Sequence, residues 1–147
     1  VWAFDPFVPT EKMEAEGVKV PATLEELYAN CDYISLHIPA NEKTKGSINY
    51  ELLSKMPKGG CLVNTARKEV IDEAGMEKLL AERTDLKYVT DIAPANQAAL
   101  EQFAPRFFAT PKKQGAETAE ANMNAGLAAA RQIVGFIERG ETKFKVN

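Results

Sequence analysis

The sequence predicts an α/β protein built on a doubly wound, mostly parallel sheet. Five short apolar runs have the length of buried strands: Val1–Phe4, Tyr33–His37, Cys61–Val63, Tyr88–Thr90 and Phe107–Ala109. Amphipathic stretches of helical length separate them, the alternation that a parallel sheet with crossover helices requires. Polar residues with binding chemistry follow several runs directly, where open parallel sheets hold their ligands.

The elements can be justified in order. Thr23-Leu-Glu-Glu26 opens a helix with a capping-box pattern, in which hydroxyl and carboxylate satisfy the unpaired amides of the first turn. Asn49 can cap a second helix, running through Met56 and stopping before Pro57. Asp72 can cap a third that ends near Glu82, and 96–103 suggests a fourth. Right-handed crossovers would place helices on both faces of the sheet. A long Ala-rich helix is expected from Thr118 to Arg139, stopped by Gly140, with small side chains suited to close docking. Lys143–Val146 could add a last short strand. No internal repeat or low-complexity segment interrupts this order.

Length and composition bound the reading. A chain of 147 residues can bury one core, but not those of two full domains. With 45% hydrophobic and 27% charged residues, it reads as an ordinary globular chain. The formal net charge of −3 offers no basic excess for a phosphate backbone, so nucleic acid is not an expected partner. No apolar run approaches the roughly 18–20 residues of a membrane span. No basic segment followed by an apolar one marks a signal peptide. Cys31 and Cys61 read as free thiols buried in a reducing, cytoplasmic setting, and no metal site is expected. The opening at Val1, directly in an apolar run, reads as a chain that begins inside a domain.

Candidate chemistry follows the strands. Asp5 ends the first run, in Trp2-Ala-Phe-Asp5-Pro6. An acid there accepts from the ribose hydroxyls of a dinucleotide and repels a 2′-phosphate, favouring NAD over NADP; a plain turn former is the simpler alternative. His37, the single histidine, is a possible acid–base group, but lining the cofactor pocket or packing at the strand end is favoured. Arg67, after Asn64-Thr65-Ala66, can clamp a carboxylate with two parallel charged hydrogen bonds, against the alternative of a surface ion pair. Asp91 follows the fourth run, and Thr110-Pro-Lys-Lys-Gln-Gly115 the fifth.

Taken together, these segments resemble the nucleotide-binding domain of the D-isomer-specific 2-hydroxyacid dehydrogenases, over nearly the whole chain. Cys31-Asp-Tyr-Ile-Ser-Leu-His-Ile-Pro39 followed by Thr44-Lys-Gly-Ser-Ile-Asn49 is similar to that family's D-x-x-S-L-H-x-P … T-x-x-x-I segment. Met56-Pro-Lys-Gly-Gly-Cys-Leu-Val-Asn-Thr-Ala-Arg67 resembles its most diagnostic motif, and Val70-Ile-Asp-Glu73 continues the match. The resemblance implies a Rossmann-type fold and an NAD-dependent oxidoreductase. It implies that Arg67 binds the substrate carboxylate, and that cofactor contacts fall at Asp5, His37, Pro39, Thr44, Thr65, Ala66, Arg67, Asp91 and Gly115. Asp91 matches the acid that holds the nicotinamide carboxamide. The NAD-binding part would cover 1–115, and the crossover helix and tail 116–147 would pack on a substrate domain.

Three departures stand out. No G-x-G-x-x-G is present, and the resemblance places it upstream of Val1, so the first β-α unit is expected to be missing and this chain alone to bind NAD poorly. The family's catalytic His follows a Thr-Pro pair, and Lys112 stands there. The family's Glu that charges that His is missing from Asp91-Ile-Ala-Pro-Ala-Asn96. The last two cohere. A histidine with a reference pKa of about 6.5 needs a carboxylate to stay charged, whereas a lysine starting near about 10.4 does not. Lys112 could give its proton to a nascent alkoxide, or be structural in an inactive homologue. For oxidation its pKa should be lowered, which burial and Arg67 could both do.

Thr110-Pro-Lys-Lys-x-Gly-Ala-x-Thr-Ala-Glu-Ala-Asn122 resembles a compact group of phosphoglycerate dehydrogenases that carry this lysine. That resemblance implies oxidation of 3-phosphoglycerate to 3-phosphohydroxypyruvate, in serine biosynthesis, by a homodimer. The alternatives are another 2-hydroxyacid or 2-ketoacid substrate, and a non-catalytic, NAD-sensing protein of the corepressor kind.

Overall fold

The computed structural model describes residues 1–111, 113 and 118–145. The chain divides into two compact units, Val1–Lys112 and Lys113–Asn147. In the first, the elements run α1 (Thr10–Ala15), α2 (Leu24–Asn30), β1 (Tyr33–Leu36), α3 (Tyr50–Leu53), β2 (Cys61–Asn64), a 3-10 turn (Lys68–Val70), α4 (Glu73–Glu82), β3 (Lys87–Thr90), α5 (Gln97–Leu100), a second 3-10 turn (Glu101–Phe103) and β4 (Phe107–Ala109).

The four strands form one parallel sheet in the order β1-β2-β3-β4. A sequential order means that successive crossovers run in one direction, so right-handed connections leave their helices on one face. Burial follows this. In β1, Ile34 and Leu36 are buried, while Tyr33 on the other face is 80% exposed, as is Phe108 of β4 at 57%. The expectation of helices on both faces therefore does not hold for these four strands among the described residues. The covered face packs Leu62 and Tyr88 against Leu53, Val70, Met76, Leu79 and Leu80 in one continuous core. Truncating one such leucine to Ala costs about 2–5 kcal/mol.

Val1–Phe4 is not a strand of this sheet. Trp2 makes a single parallel bridge with Lys19, through Ala3 N–H to Lys19 O (2.9 Å) and Lys19 N–H to Val1 O (3.0 Å). Pro21 lacks the N–H group that would continue the ladder to Ala3 O. Helix α1 lies between the two bridged residues. Only Met13 of it is buried, so no apolar period announces it.

The helix caps follow their chemistry. Thr23 Oγ1 accepts from Glu26 N–H (3.1 Å), but the Glu26 carboxylate turns back one residue further than a capping box, to Ala22 N–H (2.8 Å). Asn49 Oδ1 accepts from Leu52 N–H (3.0 Å). Helix α3 ends at Leu53 rather than Met56: Lys55 N–H and Met56 N–H bond only three residues back, to Leu52 O (3.2 Å) and Leu53 O (3.1 Å), so the last turn tightens before Pro57, and the Arg83 guanidinium caps the carbonyls of Ser54, Met56 and Pro57. Asp72 precedes α4 without a side-chain cap bond. The stretch at 96–103 splits into α5 and a tighter 3-10 turn.

In the second unit, α6 spans Ala119–Arg139. Thr118 Oγ1 accepts from Ala121 N–H (3.0 Å) and opens it. Gly140, at φ 67°, closes it in a left-handed conformation that a side chain disfavours, with its N–H on Phe136 O (3.0 Å). Met123, Leu127, Val134 and Ile137 line one exposed apolar stripe at helical spacing. The expected strand at 143–146 does not form over its described residues. Lys143 and Phe144 lie in a turn closed by Lys145 N–H to Thr142 O (3.0 Å), which bends the chain out of the extended form a strand needs.

Candidate functional site

The sheet's register determines what stands at its carboxyl edge. Leu36 pairs with Asn64, Asn64 with Thr90, and Thr90 with Ala109. The next residue of each strand is therefore His37, Thr65, Asp91 or Thr110. Four consecutive strands thus bring together segments that lie far apart in sequence, as parallel strands separated by crossovers must.

Beyond β2, the turn Thr65-Ala66-Arg67 is held by Asn64, which is fully buried at 0% exposure. Its Oδ1 accepts from Ala66 N–H (3.0 Å) and its Nδ2 donates to Arg67 O (3.0 Å). Arg67 is exposed and extended (φ −146°, ψ 141°), with Nη1 donating to Ala66 O (2.8 Å). Five donors on a planar group leave it able to engage an anion as well. Beyond β3, Asp91 is 8% exposed, and its N–H donates to Asn64 O at 3.3 Å. Thr90 Oγ1 donates its one proton to the same carbonyl, the shorter contact (2.8 Å), lies 3.0 Å from Ile92 O as the alternative acceptor, and accepts from Ile92 N–H (3.1 Å). The ends of β2 and β3, with Arg67 and Asp91, are thereby fastened to each other.

The loop after Asp91 is tied to the start of α4. Glu73 Oε1 accepts from Ala95 N–H (2.7 Å), and Asn96 Nδ2 donates to Glu73 O (3.1 Å) and Glu77 Oε2 (3.2 Å). Beneath it, Tyr88 is buried among Asn64 and Thr90. Burial raises its hydroxyl pKa, and hydrogen bonds from those two side chains lower it only in part.

The other sequence candidates are placed as follows. His37 is exposed, with Nε2 3.0 Å from Ser35 Oγ on the open face of β1. Thr44 Oγ1 donates to Pro39 O (2.6 Å) and accepts from Asn41 N–H (2.9 Å), so Pro39 and Thr44 belong to one compact turn after β1. A cleft between Lys45, Gly46 and Lys68, Asp72 flanks the Arg67 turn. Asp5 follows the Trp2 bridge rather than the four-stranded sheet; its exposed carboxylate accepts from Phe7 N–H (2.8 Å). Lys112 and Gly115 lie outside the described residues. Both thiols are free; Cys61 is buried and Cys31 only half-buried. Among the described residues no group of acids, histidines and thiols could hold a metal, and no helix is long and apolar enough to cross a membrane.

Sequence reasoning missed Asn64 and Thr90 as supports of this edge. A polar residue ending the otherwise apolar Cys61-Leu-Val run was the available signal. Glu73 and Asn96 left none, because their contact spans more than twenty residues.

A one-directional parallel sheet whose carboxyl edge gathers an arginine, an acid and hydroxyl groups defines a nucleotide-binding α/β domain of the Rossmann type. The chain belongs to the D-isomer specific 2-hydroxyacid dehydrogenases: the model of that family's NAD binding domain matches residues 1–112. A D-3-phosphoglycerate dehydrogenase of Methanocaldococcus jannaschii is 34% identical over 142 residues, covering 94% of this chain and 26% of the relative. The crystal structure of cofactor (NAD+) bound 3-phosphoglycerate dehydrogenase in Entamoeba histolytica superposes with a TM-score of 0.80 at 49% identity, over 99% of this chain and 46% of that one. The apo D-lactate dehydrogenase of Escherichia coli gives a TM-score of 0.71 at 27% identity, over 97% of this chain and 44% of that one. The chain thus spans between a quarter and a half of these relatives.

Proposed function

We propose that the protein carrying this chain is an NAD-dependent D-2-hydroxyacid dehydrogenase acting on 3-phosphoglycerate and 3-phosphohydroxypyruvate. The observation that carries this reading is the fastening of Arg67 and Asp91 at neighbouring strand ends through Asn64, whose Nδ2 donates to Arg67 O and whose backbone carbonyl accepts from Asp91 N–H. The 49% identity to the Entamoeba histolytica enzyme supports the choice of substrate.

The residues present fit NAD. The Asp5 carboxylate is exposed and held in a turn by Phe7 N–H, available to ribose hydroxyls and unfavourable to a 2′-phosphate. Asp91 stands at the carboxyl edge, able to accept from a carboxamide. When bound, NAD supplies the hydride acceptor.

The chain's own residues orient the substrate and handle its proton. Arg67 clamps the substrate carboxylate through two N–H groups and polarises the adjacent C2 oxygen. Lys112, matching the family's histidine in sequence, takes the hydroxyl proton in oxidation and returns it in reduction. Glu73 and Asn96 steady the loop behind Asp91. We further propose a cytoplasmic homodimer, to be checked by light scattering of the full-length protein.

The test is NADH consumption by the full-length protein with 3-phosphohydroxypyruvate, followed by absorbance. Turnover that Lys112→Ala abolishes, with NADH binding kept, supports the assignment. Binding without turnover on this substrate moves the search to other 2-keto acids. Absence of turnover on those as well leaves the NAD-sensing reading, which the loss of both the family's His and Glu favours.

A further inference from the structure

We infer that Asn64 is a positioning residue: its buried carboxamide sets the direction from which Arg67 meets the substrate carboxylate. The inference rests on the carboxylate role proposed for Arg67.

An amide with no exposure is costly unless each polar end is paired, at about 1–3 kcal/mol for a group left unpaired. Asn64 pairs both ends within three residues of itself. Oδ1 takes the N–H of Ala66 and Nδ2 reaches the carbonyl of Arg67, so one side chain spans the Thr65-Ala66-Arg67 turn. The backbone of Asn64 is held in turn from β3, by Thr90 Oγ1 and Asp91 N–H on its carbonyl. The Arg67 backbone is thus tied at its carbonyl and through the preceding amide, while its guanidinium emerges into the open. An apolar side chain of similar volume would fill the space but leave Ala66 N–H and Arg67 O without these bonds. The turn could then rotate, and a guanidinium on a long side chain would sweep away from its productive direction. Misplacement of a reacting or binding group by about 1 Å can cost about a hundredfold in rate. Asn64 itself is buried beneath the turn and acts only through Arg67.

The experiment is a double-mutant cycle in the full-length protein, assayed with NADH and 3-phosphohydroxypyruvate. Asn64→Ala is expected to raise KM for the keto acid by about tenfold or more, and by several times more than it raises KM for NADH, whose expected contacts include the same turn. In an Arg67→Ala background the same substitution should change kcat/KM by less than about twofold, because the residue through which it acts is gone. Asn64→Ser, whose hydroxyl can still accept from the N–H two residues on, should fall between Asn64→Ala and the parent. It also carries the same cycle should Asn64→Ala not fold. Independent, multiplying losses from the two sites would overturn the inference, as would an equal rise in the NADH KM. A high keto-acid KM for Arg67→Ala beside a normal one for Asn64→Ala would overturn the positioning role alone. An unchanged keto-acid KM for Arg67→Ala would overturn the carboxylate assignment and the inference with it.

Discussion

The hydroxyl of Thr90 donates to the backbone carbonyl of Asn64 at 2.8 Å, joining the ends of β3 and β2 where their ladder stops. Both residues are buried, so the bond is shielded from competing water. Thr90→Val keeps the shape but removes the bond donated to Asn64 O and the one accepted from Ile92 N–H. It should destabilise the protein by about 1–3 kcal/mol, whereas Thr90→Ser should retain most of that stability. Urea denaturation of the two variants checks the difference.

Arg83 and Asp85 form a two-pronged pair at the opposite end of the sheet, at 2.8 and 2.7 Å, and Gly59 N–H adds a third bond to the carboxylate at 2.8 Å. The Arg83 bonds, and then the Gly59 amide, hold the Asp85 carboxyl far below the usual carboxylate range. A folded pKa below the unfolded value of about 3.9 means that this stabilisation is present above that value and lost as pH falls below it towards the folded pKa. Asp85→Asn should therefore cost about 1–2 kcal/mol near neutrality. Its deficit relative to the parent should shrink as denaturation curves are taken below about pH 4.

Gly75 sits inside α4, where Ala would ordinarily gain about 1 kcal/mol of helix propensity. Here a Cβ would lie 3.0 Å from Tyr50 N and 2.5 Å from Asp72 Oδ2, so α4 could not approach the start of α3 as it does. Gly75→Ala should lower stability by about 1–3 kcal/mol, against the propensity trend. The reading falls if its thermal midpoint rises.

Burial pushes the thiols of Cys61 and Cys31 above their ordinary range, outweighing the nearby Lys87 at Cys61. With less thiolate at neutral pH, both should react slowly with a disulfide reagent. Cys61, the more buried, should label completely only when the protein is unfolded, which a time course with and without denaturant measures.

Asp5 carries the cofactor preference in the proposed function. Asp5→Ser should weaken NADH binding by about tenfold and narrow the preference over NADPH, since it removes the acceptor and the like charge together. Fluorescence titration of the full-length variant with each nucleotide decides it.

Much of this protein is local, and what is local is legible in the sequence. The apolar runs at 33–37, 61–63, 88–90 and 107–109 became strands because apolar length and bounding turns are properties of a few neighbouring residues. Thr23, Asn49 and Thr118 opened their helices and Gly140 closed one for the same reason, each acting on groups within about five residues. The motif ending in Arg67 and the Asp91 position were legible in the same way.

Tertiary structure decided the rest. Val1–Phe4 reads as a strand, but a ladder needs a partner of matching length, and Pro21, which has no N–H to give to Ala3 O, limits it to one bridge. The carbonyls of Ser54 and Met56 after helix α3 are capped by Arg83, 29 and 27 residues on, a partner that the local chain does not supply. The face left open around Tyr33 and Phe108 follows from the sequential strand order, which no single segment encodes. Asn64 and Thr90 looked like the ordinary polar ends of two unrelated apolar runs. They became the bracket beneath Arg67 and Asp91 only when the parallel register set them side by side, because a hydrogen bond between residues 26 positions apart is made by the fold and not by the local chain.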